Sequence, residues 1–174
     1  MTERSKSVQS DQRGTVAPDA GSACLVARIL GESESFSTET LKTWVAGDDV
    51  ECGATVTFEG IVRGTEDGVA LAGLRYEVHE AMAPRELAAV CADALSRYPV
   101  NRISVEHRTG FVPTDDASVV VVVGAGHRGE AFDACRYVMD EIKRRVPIWK
   151  HPVPKASVAV AVLAGNIPDV AIHV

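Results

Sequence analysis

The stretch ASVVVVVGAGHRGEAFDACRYVMDEIKRRVPIWK, residues 117–150, decides the fold class, because it joins a strand, a glycine-rich turn and a helix. Its apolar start, residues 117–126, is typical of a strand buried on both faces. The next apolar side chains recur at three- and four-residue steps, which predicts a helix with one buried seam formed by Phe132, Cys135, Met139, Ile142 and Val146. Pro147 ends this helix, and a short edge strand is predicted after it.

The patterns outside this stretch predict an α+β domain built on a mixed sheet. Strands are expected over CLVARIL, GATVTFEGIVR, LAGLRYEVHE and NRISVEHRTG. Polar and apolar residues alternate in the second and the fourth of these segments, as in half-buried strands. The segment GTEDG is expected to form a turn or mobile loop. One helix is predicted over STETLKTWVAG, with Ser37 or Thr38 as its cap, and another from Pro84 to about Tyr98. The resulting order is β-α-β-β-α-β-β-α-β.

Length and composition predict one globular domain of a cytoplasmic protein. The 174 residues suit a single domain over residues 23–174, preceded by a polar, flexible tail over residues 1–22. The net charge of -6 argues against general binding to nucleic acid or an anionic membrane. No segment approaches the roughly 20 apolar residues of a membrane span, and the first residues are too polar for a secretory signal.

The cysteines and histidines predict neither a disulfide nor a metal site. The cysteines are far apart and lie among apolar neighbours, which favours a structural role over a sulfur-carrying one for Cys24, Cys52, Cys91 and Cys135. Three histidines have no partner at ligand spacing, namely His79, His107 and His151. We therefore expect no metal and no cofactor.

The segment GAGHRGEAF, residues 124–132, matches the pattern G-x-G-x-x-G between a strand and a helix. A dinucleotide site also needs an acidic residue about 20 positions later, and the stretch RRVPIWKHPV has none, so a nucleotide-dependent oxidoreductase is a weak interpretation. Free N–H groups at a helix start still favour an anion, and His127 and Arg128 add donors. The alternative is a tight turn with an exposed arginine and a packed histidine.

Two lysines near the end of the long helix are candidates for acid-base chemistry. Lys143 lies on the flank of the apolar seam, and the turn at Pro147 could bring Lys150 into the same pocket. Two cations in a poorly hydrated site favour the loss of a proton from one of them. The alternative is a pair of solvent-exposed lysines. Arg63 follows a predicted strand, at a place where binding residues are frequent.

Four stretches of this chain together resemble the catalytic, large subunits of molybdopterin synthase, the MoaE family. They are TFEGIVRG, LRYEVHEAMA, EHRTGFVPTDDASVVVVVGAGHRG and HRGEAFDACRYVMDEIKRRVPIWK, and the likeness covers roughly Cys24 to His151. The resemblance implies an α/β hammerhead fold and a homodimer within a heterotetramer. It also implies a small ubiquitin-like partner, whose C-terminal Gly-Gly thiocarboxylate supplies sulfur. The implied substrate is cyclic pyranopterin monophosphate, which receives two sulfurs to form the molybdopterin dithiolene in molybdenum cofactor biosynthesis.

The resemblance also implies a role for each candidate residue. Lys143 becomes the main catalytic group and Lys150 its helper in proton transfer and oxyanion stabilisation. The substrate phosphate and pterin would be held by Arg63, His127 and Arg128, with the His-Arg segment supplied by the neighbouring protomer. Phe58 would shape the pocket wall.

The sequence departs from the family pattern in two places. Members commonly carry glutamate where this chain has Pro152, so a carboxylate that would orient Lys150 or contact the partner tail is missing. The last segment, KASVAVAVLAGNIPDVAIHV, is more apolar than the family's polar end. The alternative function is therefore a non-catalytic, anion-binding or scaffold paralogue that keeps the fold and the partner.

Overall fold

The computed structural model describes residues 25–47 and 51–155, which form three helices and eight strands. In chain order these are β1 Leu25–Leu30, α1 Thr38–Ala46, β2 Ala54–Ile61, β3 Thr65–Glu66, β4 Val69–Val78, α2 Ala83–Arg97, β5 Val100–Arg108, β6 Gly110–Pro113, β7 Ala117–Ala125, α3 Arg128–Arg145 and β8 Ile148–Pro154. The predicted order holds, with the short strands β3 and β6 as additions. The predicted tail over residues 1–22 and the apolar segment after Lys155 lie outside the described residues.

The strands form two sheets. The first is mixed, with the order β1-β5-β7-β2, and only β1 and β5 in it run parallel. In the second, β4 pairs antiparallel with β3, β6 and β8. The prediction of an α+β domain with a mixed sheet is therefore confirmed. The division into two sheets was not predicted, because alternation shows that a segment is a strand but not which strand it pairs with.

The mixed sheet is covered on both faces. Helices α2 and α3 pack against one face, where the core includes Val121 and Val123 of β7. Helix α1 packs against the other face, where Leu41 and Val45 contact the cluster that contains Val120. Strand β7 is thus buried on both sides, as its apolar run predicted.

Strand β5 is also buried on both faces, although its sequence alternates. The reason is that α1 covers the face on which its polar residues lie, including the fully buried Glu106. Glu106 accepts hydrogen bonds from Arg28 at 2.7 Å and from the hydroxyl and backbone N–H of Ser37 at 2.7 and 2.9 Å. Ser37 occupies the N-cap position of α1, but its side chain makes no cap hydrogen bond, because it is engaged by Glu106.

Replacing Glu106 by alanine is expected to lower the free energy of unfolding by about 3 kcal/mol, since it breaks a buried pair and leaves its donors unpaired. Denaturant-induced unfolding measures this change. Glu39→Ala is the matched control, because Glu39 is an exposed carboxylate that pairs with Lys42 on the surface of α1. Its effect should be much smaller. Equal losses in the two variants would contradict the structural role of Glu106.

The buried seam of α3 differs from the predicted one at its first position. Phe132 is 60% exposed, and the helix instead buries Ala131, Ala134, Cys135, Val138 and Ile142. The small side chains of Ala131 and Ala134 let the helix approach β7 closely, which turns the neighbouring Phe132 about 100° away from the seam. Met139 is only half-buried. The predicted positions Cys135, Ile142 and Val146 are buried.

The described cysteines fit the predicted structural role. Burial raises the pKa of the Cys91 thiol to about 12 and that of Cys135 to about 11, so both stay protonated at neutral pH. Cys52 is half-buried, and its Sγ lies 3.7 Å from the carbonyl oxygen of Ala54. All three are free thiols. Cys24 lies outside the described residues.

Candidate active site

A cavity of about 550 Å³ lies where the second sheet meets the C-terminal end of α3. Strands from both sheets line it, together with the last turns of α3. Its polar and charged lining residues are Arg63, Thr65, Glu66, Tyr76, His107, Ser118, Lys143 and Lys150. Its size is that of a small-molecule site, and most of its charged groups are cationic.

Both candidate lysines line this cavity. Lys143 lies in the last turn of α3, Lys150 lies on β8, and Pro147 separates the two elements. The Pro147 carbonyl accepts a hydrogen bond from the His79 N–H at 3.1 Å, which ties this turn to the end of β4. The predicted convergence of the two lysines in one pocket is therefore observed.

The expected desolvation of the two lysines is not observed in the single chain. Lys143 and Lys150 are both exposed, although both line the cavity. Their electrostatic surroundings also differ. Lys143 forms no ion pair with any residue in the described ranges, whereas Lys150 donates a hydrogen bond to Glu66 Oε1 at 2.5 Å.

Glu66 is a site residue that the sequence analysis missed. It ends the two-residue strand β3, which pairs with the start of β4 through a turn at Asp67 and Gly68, both with positive φ. The hydrogen bond from Lys150 lowers the pKa of Glu66, and the positive charge of Arg63 lowers it further. The dipeptide Asp-Gly is a strong hairpin signal and could have revealed β3. Lys150 thus has a carboxylate partner in Glu66, although the proline at position 152 carries no carboxylate.

Arg63 and Phe58 also line the cavity, Arg63 just after β2 and Phe58 within it. Phe58 is 39% exposed. Arg63 makes no ion pair inside the described part of the chain, so its guanidinium is available to an anion. The structure thus brings Phe58, Arg63, Lys143 and Lys150 together.

His107 is a second missed residue, considered from sequence only as a metal ligand. It is buried beside the cavity, and its Nδ1 lies 2.7 Å from the carbonyl oxygen of Arg108. A carbonyl oxygen only accepts, so Nδ1 carries the hydrogen. Burial lowers the pKa of His107 to about 4, which keeps the ring neutral at neutral pH. The rings of Tyr76 and His107 pack in a T-shaped arrangement, with 5.2 Å between their centroids.

Most of the helices and strands described above lie in a segment that matches a known protein family. The model of the MoaE protein family matches residues 32–145, a range that runs from the end of β1 to the end of α3. The chain belongs to the MoaE protein family. The matched range includes Phe58, Arg63 and Lys143, while Lys150 follows it by five residues.

Curated relatives and solved structures agree with the MoaE assignment. A protein of Oryza sativa subsp. indica named molybdopterin synthase catalytic subunit is 48% identical over 105 residues, which are 60% of this chain and 54% of that protein. The chain thus spans about half the length of this relative. The structure of molybdopterin synthase from Staphylococcus aureus is 31% identical, with a TM-score of 0.68 over 74% of this chain and 91% of the other.

A further similar structure is a protein–protein complex of subunits 1 and 2 of the molybdopterin-converting factor from Helicobacter pylori 26695. The similarity has a TM-score of 0.58 at 26% identity, and it covers 76% of this chain and 86% of the other. It shows that a chain with this fold occurs in a complex of two subunits.

The His-Arg segment of this MoaE chain lies at the opposite end of α3 from the lysines. His127 precedes α3 and Arg128 begins it, about 22 Å along the helix axis from Lys143. His127 lines a separate cleft of about 220 Å³ with Glu51 and Glu130 among its other residues. A single chain therefore does not bring His127 and Arg128 to the lysines.

The glycine-rich turn before α3 has a packing role. A Cβ atom on Gly124 would lie 2.6 Å from a methyl carbon of Val45, so glycine is needed there for α1 to pack against β7. After α3 the chain enters β8, which pairs antiparallel with β4 in the other sheet. The βαβ unit of a dinucleotide site is thus absent from this part of the chain, which removes the oxidoreductase interpretation.

None of the helices α1 to α3 has the length and apolar character needed to cross a bilayer. Within residues 25–47 and 51–155, no three His, Cys, Asp or Glu side chains come together in a way that could hold a metal ion.

Proposed function

We propose that this chain is the catalytic subunit of a molybdopterin synthase in the cytoplasm. Its substrate would be cyclic pyranopterin monophosphate, and its sulfur donor the C-terminal thiocarboxylate of a small ubiquitin-like subunit. The observation that carries the proposal is the convergence of Lys143, Lys150 and Arg63 on one cavity of the MoaE fold. The names of the similar proteins from Oryza sativa and Staphylococcus aureus, a molybdopterin synthase catalytic subunit and a molybdopterin synthase, support it.

The lining residues suit an anionic substrate and a reaction that moves protons. The guanidinium of Arg63 can bind a phosphate through parallel hydrogen bonds, and nothing in the described part of the chain pairs with it. Sulfur transfer from a thiocarboxylate develops negative charge on oxygen, which an ammonium group can stabilise. Lys143 would fill this role and transfer protons, which is supported by its position in the cavity lining and by the lack of an ion-pair partner for its amine in the described ranges.

The proposal needs two kinds of partner. His127 and Arg128 complete the substrate site only if a second copy of the chain supplies them, since α3 holds them about 22 Å from Lys143. The active form would therefore be a homodimer. Each protomer would also bind one small subunit, which gives a heterotetramer. The two-subunit complex from Helicobacter pylori supports the second interface.

Mixing the purified chain with the thiocarboxylated small subunit and the pterin precursor should yield a dithiolene product. The same mixture, with a partner that ends in an ordinary carboxylate, is the control and should yield none. Mass spectrometry of the pterin in a single turnover measures the result. Partner binding without any sulfur transfer would overturn the proposal in favour of a non-catalytic scaffold paralogue.

A further inference from the structure

Glu66 and Lys150 form an ion pair that joins two strands 84 positions apart at the wall of the cavity. The Lys150 ammonium donates to Glu66 Oε1 at 2.5 Å. The Glu66 side chain is 23% exposed and that of Lys150 is 52% exposed. The hydrogen bond to Glu66 restricts where the lysine amine can point, because the short carboxylate side chain is less exposed than the long lysine chain.

The second oxygen of Glu66 distinguishes this pair from an ordinary surface ion pair. Glu66 Oε2 is buried and accepts no hydrogen bond from any other described residue. Buried carboxylate oxygens are normally satisfied, since leaving one unpaired costs free energy. Such a cost in stability is tolerated at functional sites, where the arrangement of side chains serves to bind a ligand.

The backbone around Glu66 holds its carboxylate in place. The turn at Asp67 and Gly68 pairs Glu66 with Val69, and the Leu71 N–H donates to the Gly64 carbonyl at 2.9 Å. On β8, the residues after Lys150 are His151 and Pro152, which carry no carboxylate. Glu66 therefore supplies, from another strand, the carboxylate that contacts Lys150.

We propose that Glu66 is a positioning residue, which holds the Lys150 ammonium at the cavity wall in the orientation that sulfur transfer requires. This inference rests on the proposed function, in which Lys150 assists Lys143. It assigns different roles to Lys150 and Lys143. Lys150 is held beside the Glu66 carboxylate, whereas Lys143 has no ion-pair partner in the described ranges.

The variant Glu66→Gln tests the proposal, because it removes the charge with almost no change in shape. We expect kcat for dithiolene formation to fall about 10- to 100-fold, as when a catalytic group is slightly misplaced, while KM for the precursor changes little. Glu77→Gln is the matched control. Glu77 lies on β4, which pairs with the strand β8 that carries Lys150, and its carboxylate lies 3.4 Å from His151, but Glu77 does not line the cavity. Its activity should equal that of the wild type.

A double-mutant cycle with Lys150→Ala identifies the route of the effect. If Glu66 acts through Lys150, then Glu66→Gln should cause no further loss in the Lys150→Ala background. An equal loss in both backgrounds would overturn the proposal, and so would full activity of Glu66→Gln. If Glu66→Gln melts well below the wild type, the same cycle is measured with Glu66→Ala, and the same outcomes decide.

Failure of the proposed function would look different from failure of this inference. Without synthase activity, the wild-type chain itself would make no dithiolene from the thiocarboxylated partner and the precursor. With synthase activity, the wild type turns over, and only the comparison of the Glu66 and Glu77 variants decides the role of Glu66.

Discussion

Lys143→Ala is expected to lower kcat for dithiolene formation by about 100- to 10,000-fold, the range that a positioned acid or base contributes. Lys143 lines the cavity and has no ion-pair partner within the described chain, and in the proposed mechanism its amine exchanges a proton with the substrate. The side chain is exposed and lies outside the buried seam of α3. The fold should therefore survive the substitution.

The kinetic pattern tells a proton-transfer role of Lys143 from a binding role. A residue that moves a proton lowers kcat and leaves KM for the precursor nearly unchanged, whereas a residue that only holds the phosphate raises KM. Single-turnover measurements with saturating partner separate these cases. Lys42→Ala is the control, because Lys42 is a partly exposed lysine on α1 that does not line the cavity. Full activity of Lys143→Ala would remove the proposed mechanism.

The elements of this fold were predictable because their signals are local. The apolar run of β7 and the three- and four-residue steps of α3 each lie within one element, and both elements are observed. The prediction that Phe132 is buried was wrong, because three- and four-residue steps also fit a seam that is shifted by one residue and begins at Ala131. Pattern alone does not show which side of a helix faces the sheet.

The site was only partly predictable because its decisive contacts are long-range. Lys143 and Lys150 are seven residues apart, so the turn at Pro147 was enough to suggest that they converge. The partner of Lys150 is Glu66, 84 positions away, on a strand of two residues that no periodicity can reveal. Likewise Glu106 pairs with Arg28 across 78 positions, and burial of β5 on both faces depends on where α1 packs.

The separation of Arg128 and Lys143 along α3 leads to a second large expected effect, the complementation of two inactive variants. If each site combines Lys143 of one protomer with Arg128 of the other, then Lys143→Ala and Arg128→Ala homodimers both lack an intact site. A heterodimer of the two variants contains one site with both substitutions and one site with neither, because a two-fold axis relates the two sites. Its activity should be about half that of the wild-type dimer.

The experiment uses the two variants with different affinity tags, so that the heterodimer is purified before its rate of dithiolene formation is measured. Arg128 is exposed at the start of α3, so its substitution should leave the fold intact. The control heterodimer pairs Lys143→Ala with a chain that carries both substitutions; it has no intact lysine and should stay inactive. A heterodimer no more active than the two variant homodimers would show that each site uses Lys143 and Arg128 of the same chain. In that case α3 could not remain a straight helix during turnover, because it holds the two residues about 22 Å apart.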